Sequence, residues 1–260
     1  MRRIVVTLDT GSLSQTAIEA AAGLASGMSA QLVAMFVEDV NLLRLAGLPF
    51  ARETGRASAR VRALQATDME RALLAQGRLL RQSLENAARQ LPFAWSLEIV
   101  RGDLLDIALS QAGADMLVLG CTRRPGYAGG GHAARPKWPA SRGARRIMVV
   151  FDGSEAALRA LEAAHALART SRSSLIVLAR DGGGERAAAL RAQAVAWLAA
   201  KGDVEASFIS TPGSDIASLA SAARMQEVAA VLLPAAEGRP EAAHFAGLVD
   251  EIACPVVLIR

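Results

Sequence analysis

The stretch RRIVVTLDTGSLSQTAIEAAAGLA, Arg2 to Ala25, decides the fold because the chain contains it twice. Its second copy is RRIMVVFDGSEAALRALEAAHALA, Arg145 to Ala168. At the fixed offset that brings Asp9 onto Asp152, the copies share both arginines, Ile4 and Ile147, Asp9 and Asp152, Glu19 and Glu162, and a series of alanines and leucines. Each copy is a short apolar run, an Asp with Gly and Ser close behind, and an amphipathic helix. The runs Ile4–Leu8 and Ile147–Phe151 have the length and β-branched content of buried strands. The helices place Ile18, Ala21, Ala22 and Ala25 on one face, and Ala157, Leu161, Ala164 and Leu167 in the copy. A unit this long is a duplicated domain; solenoid units repeat every ~20–50 residues.

The elements after each copy repeat as well. In the first half, strands at Gln31–Val37, Ser96–Val100 and Met116–Leu119 alternate with helical patterns. In the second half, strands at Ser174–Ala179, Glu205–Ile209 and Val228–Leu233 do the same, with a helix from about Gly184 and another from Gly213-Ser214. This alternation predicts α/β domains with parallel, doubly wound sheets covered on both faces. Ser58–Gln90 reads as one long helix with Val61, Leu64, Met69, Leu73, Leu80, Leu84 and Ala87 on its stripe, or as a helix broken near Gly77. Asp103 and Asp106 mark a helix start.

The 260 residues suffice for two domains of about 120 residues, each able to bury a core. Cys121 and Cys254 lie far apart without metal-ligand spacing, which argues for the cytoplasm over a disulfide-dependent setting. No apolar run approaches the ~18–20 residues of a membrane span, and Met1-Arg2-Arg3 leads into a strand-length run rather than a signal peptide. The net charge of +4 is uneven. Cys121–Arg146 holds Arg123, Arg124, Arg135, Lys137, Arg142, Arg145 and Arg146 and no acid, while the remainder is balanced or mildly acidic. The high isoelectric point thus describes a linker. This argues against nucleic acid as a partner, although Tyr127 and Trp138 stand among the arginines.

In an open α/β sheet, ligands sit beyond the carboxyl ends of strands where strand order reverses. Asp9 and Asp152 occupy such ends. A second reading has Asp9 or Ser12 capping the first helix, and the two roles are compatible. The apolar segment Glu38–Glu53, with Leu42, Leu43, Leu45, Leu48 and Phe50, reads either as a lid or partner surface or as a cluster packed on its own domain.

The strand–Asp–Gly/Ser–helix opening, the block VRGDLLDIALSQAGADMLVLG (Val100–Gly120) and the closing GLVDEIACPVVLIR (Gly247–Arg260) resemble the universal stress protein family in its tandem, two-domain form. The resemblance implies two Rossmann-like domains of strand order 3-2-1-4-(5). The first spans residues 1–120, a basic Gly/Pro/Arg linker 121–144, and the second 145–260. It implies an adenine nucleotide, ATP with Mg²⁺, near Asp9, the Val37 backbone and Gly120, with Asp152 the counterpart in the second domain. ATP-binding members carry a glycine, a second glycine three residues on, and a later Gly-Ser or Gly-Thr pair. Such glycines let backbone N–H groups close on phosphate at a helix N-terminus. Here Gly120 is followed by Arg123 at the second glycine position and by Ala133-Ala134 at the pair. No last helix or fifth strand follows in the first domain. Arg123 and Arg124 are candidates to face phosphate, and the alternative is a solvated linker. In the second domain Pro234 and Glu237 replace the first two glycines, which argues against phosphate there. Pro255–Ile259 reads as its fifth strand, with Cys254 structural.

The implied function is a cytoplasmic regulatory or protective protein without catalysis. The alternatives are a protein-interaction scaffold that has lost nucleotide binding and, with less support, a slow ATPase. The family commonly pairs domains through fifth strands, so a homodimer through Val256–Ile259 is expected, together with an unidentified protein partner. Asp9-Thr10-Gly11-Ser12 matches an aspartic-protease string, but that chemistry needs two facing carboxylates on all-β lobes. His132, His165 and His244 show no Ser/His/Asp arrangement, and no G-x-S-x-G elbow is present.

Overall fold

The computed structural model describes residues 2–9, 15–54, 61–111, 113–120, 145–179, 185–210, 215–235, 251–252 and 254–260. The first half runs β1 (Arg3–Asp9), α1 (Gln15–Gly27), β2 (Gln31–Asp39), α2 (Val40–Ala46), β3 (Arg52–Thr54), β4 (Val61–Ala63), α3 (Ala66–Gln90), β5 (Ala94–Gly102), α4 (Leu104–Ser110) and β6 (Met116–Leu119). The second runs β7 (Arg146–Phe151), α5 (Glu155–Ser171), β8 (Ser174–Ala179), α6 (Glu185–Ala199), β9 (Ala206–Ser210), α7 (Ile216–Met225), β10 (Val228–Pro234) and β11 (Val256–Ile259).

One nine-stranded sheet holds both halves, in the order β5-β2-β1-β6-β11-β10-β7-β8-β9. Counted within each half this is 3-2-1-4 and 3-2-1-4-5, as expected. The strands alternate between two cores. Ile4, Val6 and Leu8 join the layer beneath α1, α3, α5 and α6. Val5, Leu117 and Leu119 join the layer beneath α4 and α7. Three layers with two apolar interiors explain why the central strands read as unbroken apolar runs rather than as alternating ones. The helix starts follow local chemistry. Asp103 Oδ1 accepts from the Leu105 and Asp106 amides at 2.9 and 3.2 Å, and Ser154 Oγ accepts from the Ala157 amide at 3.1 Å.

The homodimer expected through Val256–Ile259 meets a correction. Both edges of β11 are paired inside the chain, in parallel with Val231–Pro234 of β10 and antiparallel with Met116–Leu119 of β6. Among the described residues the first half has no fifth strand of its own, and β11 of the second half takes that place beside β6. Val257 stands opposite Leu232 on one side and Val118 on the other. Those two residues are equivalents in the repeat, since Met148 pairs with Val231 as Val5 pairs with Leu117. A local pseudo-twofold axis therefore passes through Val257. The ion pairs obey it: Arg2 meets Glu162 at 3.1 Å and Arg145 meets Glu19 at 3.4 Å. Arg2 and Arg145 are counterparts in the repeat, as are Glu19 and Glu162, so the contact is isologous within a single chain.

A second correction concerns the long helical pattern. Residues 58–60 lie outside the described residues, and Val61–Ala63 is strand rather than helix, pairing antiparallel with Arg52–Thr54, with a Glu53–Arg62 ion pair across the two strands. Helix α3 then runs through Gly77 without a break, and buries Leu73, Leu80 and Leu84.

Candidate functional site

The reversal of strand order falls between β1 and β6 in the first half and between β7 and β10 in the second. At the first switch point Asp9 lies in register with Val37. Leu119 lies opposite Thr7, and Gly120 follows it, buried. Asp9, Val37 and Gly120, the set that the resemblance implies, lie at one carboxyl edge. Arg123 and Arg124 lie outside the described residues, as do Thr10–Ser14, so the Ser12 cap lies outside them too.

At the second switch point Asp152 has a local task. Its Oδ1 accepts from the Ser154 amide at 2.9 Å, an Asx turn that hands over to the Ser154 cap of α5. Gly153, at φ +84°, sits where an added Cβ would meet Leu190 Cδ2 of α6 at 2.6 Å, so only glycine fits this turn. Pro234 closes β10 in place of a glycine. The capping reading thus describes what Asp152 and Ser154 do here.

The two switch points also differ beneath the surface. Thr7 is fully buried, and its Oγ1 has no hydrogen-bond partner among the described residues. Its counterpart in the repeat is Val150, also buried. A buried hydroxyl left unsatisfied costs about 1–3 kcal/mol. Thr7→Val installs the residue the other half uses, and is expected to raise the unfolding free energy by about 1 kcal/mol in urea denaturation. A loss of stability would show that the hydroxyl is bonded by groups outside the described residues.

Charged groups elsewhere among the described residues are also held by partners. Glu38, 8% exposed, accepts from Arg101 Nε at 2.9 Å where β2 and β5 end. That bond and the carboxylate's charge hold the Arg101 guanidinium above its ordinary range. Ser218, bonding to the capping carboxylate of Asp215, holds Asp215 below the usual carboxylate range. Buried His165 on α5 hydrogen-bonds Asp203 at 2.6 Å, and Arg169 meets the other carboxylate oxygen at 2.6 Å. This set ties α5 to the turn before β9. The described residues contain no group of three or more His, Cys, Asp or Glu able to hold a metal ion. No helix among them is long and apolar enough to cross a membrane.

In the segment read as a lid or a packed cluster, one part packs on the domain and another is exposed. Helix α2 is capped by Asp39, Ala46 and Ala51 are buried, and Leu43 packs on the main core. Leu45, Leu48 and Phe50 are exposed, Phe50 by 74%.

Together these features define a doubly wound α/β protein with two switch points related by an internal pseudo-twofold axis. The fold is that of a universal stress protein. Over 98% of this chain and 96% of the other, it superposes on a universal stress protein from Archaeoglobus fulgidus DSM 4304 with a TM-score of 0.55 at 13% identity. A putative universal stress protein from Pseudomonas aeruginosa UCBPP-PA14 matches over 100% of this chain and 93% of its own, with a TM-score of 0.49 and 15% identity. A universal stress protein solved in complex with cAMP matches 45% of this chain and 97% of its own, with a TM-score of 0.39 and 19% identity. No family model matches the sequence, and no curated protein matches it.

Proposed function

We propose that the chain is a non-catalytic universal-stress-type regulatory or protective protein of the cytoplasm, built as two domains joined by 121–144, and that its first half binds an adenine nucleotide weakly. The observation that carries this reading is the meeting of Asp9, Val37 and Gly120 at the first switch point. Gly120 and the Val37 backbone suit a flat base and ribose approached closely by main chain, and Asp9 suits a ribose hydroxyl. ATP is the first candidate, with Mg²⁺ arriving on its phosphates. Arg123 or Arg124 would take the phosphate charge that the missing glycines leave unmet. Affinity is weak in this reading because Arg123 and Ala133-Ala134 replace backbone-presenting positions. The second half is not assigned phosphate, in keeping with Pro234 and the engaged Asp152.

The test is calorimetric titration of ATP with Mg²⁺, and of cAMP, into the whole chain beside Asp9→Ala at two salt concentrations. The expected result is binding that weakens by about tenfold or more in Asp9→Ala, the loss of a charged hydrogen bond. Binding that survives Asp9→Ala but vanishes with salt would assign the anion to the basic 121–144 segment instead. Absence of binding would favour the scaffold reading, which the exposure of Leu45, Leu48 and Phe50 supports. A homodimer, if formed, uses a surface other than β11.

A further inference from the structure

We propose that the second half carries a separate ligand site, a cleft beneath α6 that takes a small planar aromatic anion. The cleft encloses about 310 Å³ against the carboxyl ends of β7, β8 and β9. Its walls include Phe151, Ala179, Leu190, Arg191, Phe208 and Ser210. That volume lies at the lower end of the ~300–1,000 Å³ typical of small-molecule pockets.

The duplication explains why the space exists. In the repeat, Ala179 of β8 corresponds to Phe36 of β2, which is fully buried in the helix-covered core of the first half. One half fills the position with a phenyl ring and packs the 25-residue α3 over it. The other leaves a methyl group and covers it with a 15-residue helix, whose Ala187 and Ala188 are also small. Small residues on both walls, with aromatic rings at Phe151 and Phe208, leave a slot suited to a flat apolar body.

Charge then selects among flat ligands. The Arg191 guanidinium stands 5.4 Å from the Phe208 ring centroid. Among the described residues no carboxylate pairs with Arg191. That guanidinium covers one face of Phe208, so a ring seated in the slot toward Ala179 would present a carboxylate to it in a charge-assisted, bidentate bond, and the Ser210 hydroxyl offers a further donor. A nucleoside triphosphate does not suit the cleft, because among the described residues three phosphates would find one lining cation, Arg191. The cleft borders the second switch point through Phe151 and Leu190, but neither Asp152 nor Pro234 lines it, and no residue of the first half does. It therefore stands or falls independently of nucleotide binding in the first half.

The experiment uses naphthoate as the probe on the full chain, followed by calorimetry and by amide NMR shifts. Naphthoate is expected to bind and to shift amides of β8, β9 and α6. Arg191→Gln and the neutral analogue naphthylmethanol should each lose about tenfold in affinity, as for a charge-assisted bond. Ala179→Phe, which installs the first half's residue, should abolish binding. Should Ala179→Phe lose its fold, the exposed Arg191→Gln decides alone. No binding of naphthoate at millimolar concentration overturns the site. Affinity unchanged in Arg191→Gln, or retained in folded Ala179→Phe, overturns it equally.

Discussion

Val257→Asp is expected to lower the unfolding free energy of the whole chain by about 4 kcal/mol or more, measured by urea denaturation followed by circular dichroism. The side chain of Val257 is fully buried in the core cluster that spans both halves. The substitution removes an apolar contact on the pseudo-twofold axis and places a carboxylate among apolar core side chains. Burying such a charge unpaired ranks among the most costly single changes. Total stabilities of ordinary domains are about 5–15 kcal/mol, so much of the margin disappears. The effect should be global, because β11 closes the edge of β6 as well as that of β10. Wild-type chain should unfold in one transition. If Val257→Asp instead melts only the second half and leaves the first at wild-type stability, β11 does not complete both. Phe50→Ser, at an exposed site, serves as the control and should stay within about 0.5 kcal/mol of wild type.

Much of this arrangement was legible in the sequence. Strand β6 begins and ends where its apolar run does, and Asp103 caps α4 as its position implied. These features depend on local pattern, which a sequence carries. The double pairing of β11 depends on something else. Its residues Val256–Ile259 are all apolar and so mark a central strand, but nothing in them names the second neighbour. That neighbour follows from the edge of β6, which, among the described residues, would present open N–H and C=O groups without β11. The helix assigned from Ser58 failed for a different reason. Val61 and Leu64 fit a helical stripe and a strand equally well, and three residues cannot separate the two periods. Within the candidate site, Asp9 and Gly120 could be found as strand ends. The cleft under α6 could not, because it consists of an absence, and Ala179 is conspicuous only once the repeat is seen to give Phe36 as its counterpart. The Arg2–Glu162 and Arg145–Glu19 pairs are likewise four charges already visible in the repeat, whose crossed pairing only the tertiary structure supplies.

The second large effect concerns the helices that cross on the same axis. Gly27→Val is expected to cost about 2–3 kcal/mol, whereas Gly23→Ala should be close to neutral, and the ordering is the test. Both glycines lie where α1 meets α5, and at first sight they are equally tight. A Cβ at Gly23 would lie 2.7 Å from Leu167 Cδ1, and one at Gly27 would lie 2.8 Å from Thr170 Oγ1. The neighbours differ in what they can yield. Leu167 Cδ1 is the end of a flexible side chain that can rotate away, and alanine returns up to ~1 kcal/mol of helix propensity over glycine. At Gly27 the next obstacle is the Ala166 carbonyl oxygen, 3.0 Å away, which belongs to the backbone of α5. Thr170 Oγ1 donates to that same oxygen at 2.8 Å, so side chain and backbone form one rigid surface. Gly27 and Thr170 are counterparts in the repeat, as are Gly23 and Ala166; the helices therefore approach most closely near the axis, where room for side chains runs out. Relief should accordingly be partial. Adding Thr170→Ala to Gly27→Val removes the hydroxyl but leaves the carbonyl, and is expected to recover less than half of the lost stability. Full recovery would mean that Thr170 alone sets the spacing, and that the backbone of α5 is free to retreat from α1.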